Sequence, residues 1–131
     1  MHLKNRLPCN TVFHLVDGSL SVAEALLRDQ FFDVIVVDGL DRCWCAQYSL
    51  RLLAPNGAII VDDSERSCGA EPGFRISDRY RKAGYSRVDF YGYSPGNTTQ
   101  HCTSLFFRKD CFLFAGEEDP RMTLSFWEDC R

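Results

Sequence analysis

Two short apolar runs constrain this chain more than anything else in it. Val34-Ile35-Val36-Val37 and Ala58-Ile59-Ile60-Val61 are β-branched and continuous, and each stops on carboxylates, Asp38-Gly39 and Asp62-Asp63. A strand covered on both faces reads in this way, so the pattern predicts buried parallel strands. The segment between them, from Cys43 to Leu53, has Ala46, Leu50 and Leu53 at helical spacing toward the sheet. Ala54-Pro55-Asn56-Gly57 ends it, because proline cannot continue the helical ladder and Asn-Gly tolerates positive φ. In an open α/β sheet ligands gather outside the carboxyl ends of the strands, so two acidic strand ends are expected to meet at one edge.

The remaining chain extends this alternation. Thr11 to Val16 predicts a strand that ends at Asp17-Gly18-Ser19, and Ser21 with Glu24 forms a capping box for a helix over Val22 to Asp29. Ser64 to Phe74 is small, polar and turn-forming, and is expected as a loop over the carboxyl edge. Ile76 to Ala83 predicts a helix closed by Gly84, and Tyr85 to Tyr91 a strand. After a loop from Tyr93 to Thr99, Thr103 to Arg108 and Cys111 to Phe114 predict a last strand or a hairpin. Residues 1–115 are expected to form one α/β domain, and residues 116–131 an acidic tail that also carries Leu124, Phe126 and Trp127.

Composition excludes several classes. The 131 residues suffice for one domain with a real core, and 45% are apolar. A net charge of -3 lacks the clustered basic footprint that nucleic-acid binding requires, so no nucleic-acid partner is indicated. No apolar run reaches about 18 residues, so no membrane span is indicated, and the N-terminus lacks a signal peptide's apolar core. A cytoplasmic location is the expectation. The seven cysteines are odd in number and scattered, which reads as reduced thiols rather than a disulfide framework. Cys43-Trp44-Cys45 lacks a second pair at zinc spacing, and packing of Cys45 on the core side of a helix is the better reading.

In this order, the segments from Phe32 to Arg66, Gly84 to Asn97 and His101 to Lys109 resemble the second half of class I S-adenosylmethionine-dependent methyltransferases. The resemblance implies a Rossmann-like α/β methyltransferase fold, truncated: a mostly parallel sheet with one antiparallel strand and helices on both faces. It also implies S-adenosylmethionine as cofactor and a small-molecule methyl acceptor. By position, Asp17 would meet the adenine, while Asp38 and Gly39 would lie beside the methionine portion. Asp62 and Asp63 would be the catalytic acids. One subgroup of the family binds a divalent metal with an Asp-Asn pair at this place and the fourth-strand acid, so a metal is a secondary expectation.

The family's glycine-rich turn and its ribose-binding acid have no counterpart here. Within the family's sheet order 3-2-1-4-5-7-6, loss of strands 1 and 2 would leave strand 3 without a neighbour, so either the first strand here shifts into the vacant place beside the fourth or an edge is left exposed that homodimerisation could cover. The expected function is therefore methyl transfer impaired by truncation, or, alternatively, a non-catalytic remnant that serves as a protein-binding or dimerisation module. A flavodoxin-like nucleotide binder is less well supported, because no glycine-rich loop precedes a helix. Further candidates at the edge are His101 as a general base, Arg66 as a contact for an acidic substrate, and Tyr91 and Tyr93 as pocket walls.

Overall fold

A computed structural model describes residues 8–15, 25–65, 75–93, 95–96 and 98–114. Its elements are β1 (Phe32–Val37), α1 (Arg42–Leu52), β2 (Leu53–Val61), α2 (Ile76–Lys82), β3 (Ser86–Tyr93) and β4 (Gln100–Phe107). The four strands form one sheet in the order β1-β2-β4-β3. β1 and β2 pair in parallel, whereas β4 runs antiparallel to both β2 and β3. Three strands thus share a direction and one opposes them, as expected, but only one of the three pairings is parallel. "Mostly parallel" is corrected to that extent. The order is that of strands 4-5-7-6 in the arrangement the sequence resembles.

Each element has a local cause. α1 contains no Gly, Pro or β-branched residue, and it ends where Leu53 turns extended ahead of Pro55. Leu53, expected on the helix, instead opens β2 and is buried there. Pairing jumps from Phe32–Leu53 to Val34–Ala58, so residues 54–57 make an excursion within β2 where a turn was expected. α2 carries Asp78 in its first turn and Arg79, Arg81 and Lys82 in its last, which complements the helix dipole. It closes with Gly84 at φ +83°, where the amide of Gly84 bonds Arg81 O and that of Tyr85 bonds Tyr80 O.

The core lies between the sheet and the two helices. Ile35 and Val37 of β1, Ile59 and Val61 of β2 and Phe106 of β4 meet Ala46 of α1 and Ile76 and Tyr80 of α2. Tyr80 stacks obliquely on Phe106, with ring centroids 4.5 Å apart. α1 and α2 touch each other, through Ser49 and Tyr80 and through Arg79 and Gln47, so both lie on one face. α1 and α2 thus cover the same face of the sheet. On the opposite face Val34 is 45% and Val36 62% exposed. Among the described residues no element packs over that face of β1, so the expected cover on both sides is not seen there.

Residues 11–15 form no strand and are exposed. Their β-branched and aromatic composition has no sheet partner among the described residues, and composition alone does not order a strand. Residues 25–27 are helical, which agrees with part of the expected helix. Phe112–Phe114 form a 3-10 turn rather than a strand, and Phe114 packs on Phe107 at 5.1 Å. Cys43 is disulfide-bonded, so the reading of every cysteine as a thiol fails there; such pairing depends on proximity in the fold, which spacing does not reveal. Cys9, Cys45, Cys102 and Cys111 are free. Asp17, the capping box at Ser21, Arg66 and the tail 116–131 lie outside the described residues. No described helix is long and apolar enough to cross a membrane.

Candidate functional site

The carboxyl ends of β1 and β2 lie side by side, since Val37 pairs with Val61 and the amide of Asp62 donates to Val37 O. Asp38 and Asp62-Asp63 therefore leave the sheet at one edge, as the strand endings implied. The turn after β2 is then folded back on β4. Ser64 donates from its amide and its hydroxyl to Cys102 O, at 2.8 and 3.0 Å, and Asp63 adopts φ +48° to make that reversal. A non-glycine residue in this region is uncommon and marks a turn whose surroundings enforce it.

Arg42, at the start of α1, bridges the two strand ends. Its Nη2 is 3.2 Å from Asp38 Oδ1 and 3.1 Å from Asp63 Oδ2. The guanidinium is largely buried, and its Nε has no partner among the described residues. The other oxygen of Asp63 is 2.7 Å from Nδ1 of His101, the second residue of β4. His101 Nδ1 is also 3.7 Å from Glu65 Oε1. Glu65 is oriented through its second oxygen, which accepts from the amide of Cys102 at 3.0 Å. Asp62 turns aside and accepts from Thr103 Oγ1 at 2.7 Å.

Two cavities adjoin this edge. One of about 600 Å³ runs between β1 and α1 and is bounded by Leu27, Ile35, Tyr48 and Leu52, with Asp38 and Gly39 at its end. A second of about 310 Å³ is lined by Asp62, Asp63, Tyr91, Tyr93, His101 and Thr103. The expected cofactor residues Asp38 and Gly39 and the expected catalytic residues Asp62 and Asp63 thus border different cavities, joined through Arg42. Tyr91 and Tyr93 are exposed and line the second cavity, so core packing does not explain Tyr91. A hydrogen bond with the Cys102 thiol, with Asp89 nearby, raises the Tyr91 phenol above its ordinary pKa. Nearby, burial would raise the Asp89 carboxyl, but hydrogen bonds from Ser104 and Arg87 outweigh it and hold it below its usual range.

The ligand set that the resemblance implied for a metal, Asp38 with Asp62 and Asp63, does not fit this geometry. The space between Asp38 and Asp63 holds the Arg42 guanidinium, and Asp62 is engaged by Thr103. Sequence reasoning named His101 but passed over Arg42, Glu65 and Thr103. Arg42 carried a signal, its spacing of four residues from Asp38 across a strand-helix junction. Glu65 and Thr103 carried none, since they join the site only through the register of β4.

No protein-family model matches the chain, and no curated protein matches it. Among solved structures it is similar to a candidate O-methyltransferase from Klebsiella pneumoniae, with 16% identity and a TM-score of 0.48 over 68% of this chain and 46% of that one. It is also similar to the O-methyltransferase TomG from Streptomyces achromogenes, involved in tomaymycin synthesis and solved in complex with SAM. There the identity is 14% and the TM-score 0.48, over 70% of this chain and 47% of that one. The chain spans about half the length of these two proteins.

Proposed function

We propose that this chain carries the second half of an S-adenosylmethionine-dependent methyltransferase domain and takes a small hydroxylated molecule as acceptor. One observation carries the reading: Arg42 ties the strand end that closes the larger cavity to the strand end that walls the smaller one. A cofactor cavity and an acceptor pocket must adjoin in this way for a group to pass between them. The larger cavity falls within the usual range for a small-molecule site, roughly 300–1,000 Å³.

The cofactor, when bound, supplies a methyl group on a sulfonium. Asp38 sets a negative charge in the wall of the larger cavity, which suits the cationic portion of that molecule, and Gly39 beside it has nothing near the place a Cβ would occupy. Arg42 fixes Asp38 and Asp63 relative to one another, and alignment of two reactants is the main source of rate in such a displacement. In the smaller pocket Tyr91 and Tyr93 flank the acceptor, and Asp62 receives the proton of its hydroxyl.

Calorimetric titration of the full chain with S-adenosylmethionine tests the reading. Saturable binding that weakens in Asp38→Ala is the expected result, and absence of binding overturns it. β1 is the edge of the described sheet, which supports a second reading, a non-catalytic module that associates with a second copy through that edge. Sedimentation of the chain without cofactor separates the two: a dimer that binds no cofactor favours the module.

A further inference from the structure

The turn after β2 and the first residues of β4 bring three donor atoms to one point. One donor atom from each of Asp63, Glu65 and His101 lies within 4.8 Å of the other two, and Asp63 Oδ1 and Glu65 Oε1 are 2.7 and 3.7 Å from His101 Nδ1. We propose that these atoms bind a divalent first-row transition-metal ion, such as Zn²⁺, Co²⁺ or Mn²⁺. This set is distinct from Asp38, Asp62 and Asp63, whose shared space is taken by Arg42.

The outer contacts are arranged as a metal site requires. Each carboxylate has one oxygen held by a donor of the protein and the other turned to the histidine. Arg42 holds Asp63 Oδ2 at 3.1 Å, leaving Oδ1 at 2.7 Å from His101 Nδ1. The Cys102 amide holds Glu65 Oε2 at 3.0 Å, leaving Oε1 at 3.7 Å from the same nitrogen. Outer-shell partners of this kind fix ligand orientation, and their loss typically weakens metal binding about 10- to 100-fold. Charge points the same way. Asp63 is paired with Arg42, which also holds Asp38, while Glu65 and Asp62 are bonded by the neutral donors Cys102 N and Thr103 Oγ1, so negative charge is in excess among these named groups.

The chemistry of the donors selects the ion. The imidazole favours a transition ion such as Zn²⁺ or Co²⁺ over Mg²⁺ or Ca²⁺, which take all-oxygen sets, and the two carboxylates admit Mn²⁺ as well. Because Asp63 and His101 also line the smaller cavity, remaining coordination positions would open onto it. Binding takes up the imidazole lone pair, so it is opposed by protons and weakens as pH falls.

Titration of the full chain with Mn²⁺ alone, followed by calorimetry and by the electron spin resonance of the free ion, tests the site without any cofactor. It is therefore independent of the methyl-transfer reading. Mn²⁺ is the chosen probe because thiolates such as Cys9 bind it poorly. One saturable site is expected, weakened about tenfold or more in His101→Asn and in Glu65→Gln and retained in Asp38→Asn. Glu65 is exposed, so Glu65→Gln keeps the test valid if His101→Asn fails to fold. The proposal is overturned by an absence of saturation up to roughly millimolar Mn²⁺, or by unchanged binding in Glu65→Gln. Loss confined to Asp38→Asn would also overturn it, since the ion would then lie between Asp38 and Asp63.

Discussion

The Tyr80 hydroxyl lies 2.8 Å from the Ser49 hydroxyl, inside the core where α2 meets α1. Ser49 donates in turn to Ala46 O at 2.8 Å, so the phenol is the donor to Ser49. Truncation of the serine leaves a fully buried phenol without its acceptor. Ser49→Ala is therefore expected to cost about 1–3 kcal/mol, and Tyr80→Phe less, about 1 kcal/mol. Urea unfolding of both variants and of the double variant checks the claim: the double variant should cost less than the sum of the singles.

The same phenol sets an alkaline limit. Burial is the chief cause that keeps Tyr80 neutral, and ionisation is pushed well above the ordinary phenol range. The folded value exceeds the unfolded one, about 10. This contribution is therefore complete below about pH 10 and is lost as pH rises toward the folded value. Melting temperature is expected to fall above about pH 10 in the wild type, and to fall less steeply in Tyr80→Phe. Parallel slopes in the two proteins would contradict it.

Asp89 predicts the opposite limb. Its folded pKa is lowered: desolvation opposes the charge, but the hydrogen bonds from Ser104 and Arg87 prevail. That stabilisation is present above the unfolded value, about 3.9, and is lost as pH falls through the folded one. Asp89→Asn should flatten the acid limb of a stability profile while leaving the alkaline limb unchanged.

Gly57 sits where β2 closes on β1 after the excursion of residues 54–57. A Cβ there would lie 2.8 Å from Asp33 O, a backbone atom that cannot swing away, and equally close to the Leu53 side chain. Gly57→Ala is expected to destabilise the chain by about 1–3 kcal/mol. Gly39→Ala, which meets nothing within 4 Å, should change stability far less. Thermal unfolding of the two variants side by side gives the comparison.

Much of this fold is legible in the sequence for a physical reason. The runs at Val34 and Ala58 are long, β-branched and bounded by acids, and Gly84 sits where only a residue tolerant of positive φ closes a helix. Those signals are local. What escaped is set by distance in the chain. The register of β4 places His101 on Asp63 and Thr103 on Asp62, pairs separated by about forty residues, and no local pattern encodes it. Val34 and Val36 misled for a related reason: an apolar run records what a strand is suited to be buried against, whereas α1 and α2 both pack on the other face of the described sheet and leave them exposed.

That exposed face makes the last prediction. Val36 is 62% exposed on the edge strand, beside Val34, and on the same face of the sheet Val88 and Phe90 are 42% and 59% exposed. An apolar edge of this kind favours association, and a lysine on it is the device by which natural sheets prevent pairing. Val36→Lys removes little burial, so its cost to folding should stay within about 0.5 kcal/mol. Ile59→Ala, by contrast, opens a fully buried site and should cost about 2–5 kcal/mol. If β1 joins two copies, sedimentation of Val36→Lys should show the average mass falling to that of the monomer while the melting temperature holds. A dimer that persists in Val36→Lys would place the contact elsewhere on the molecule.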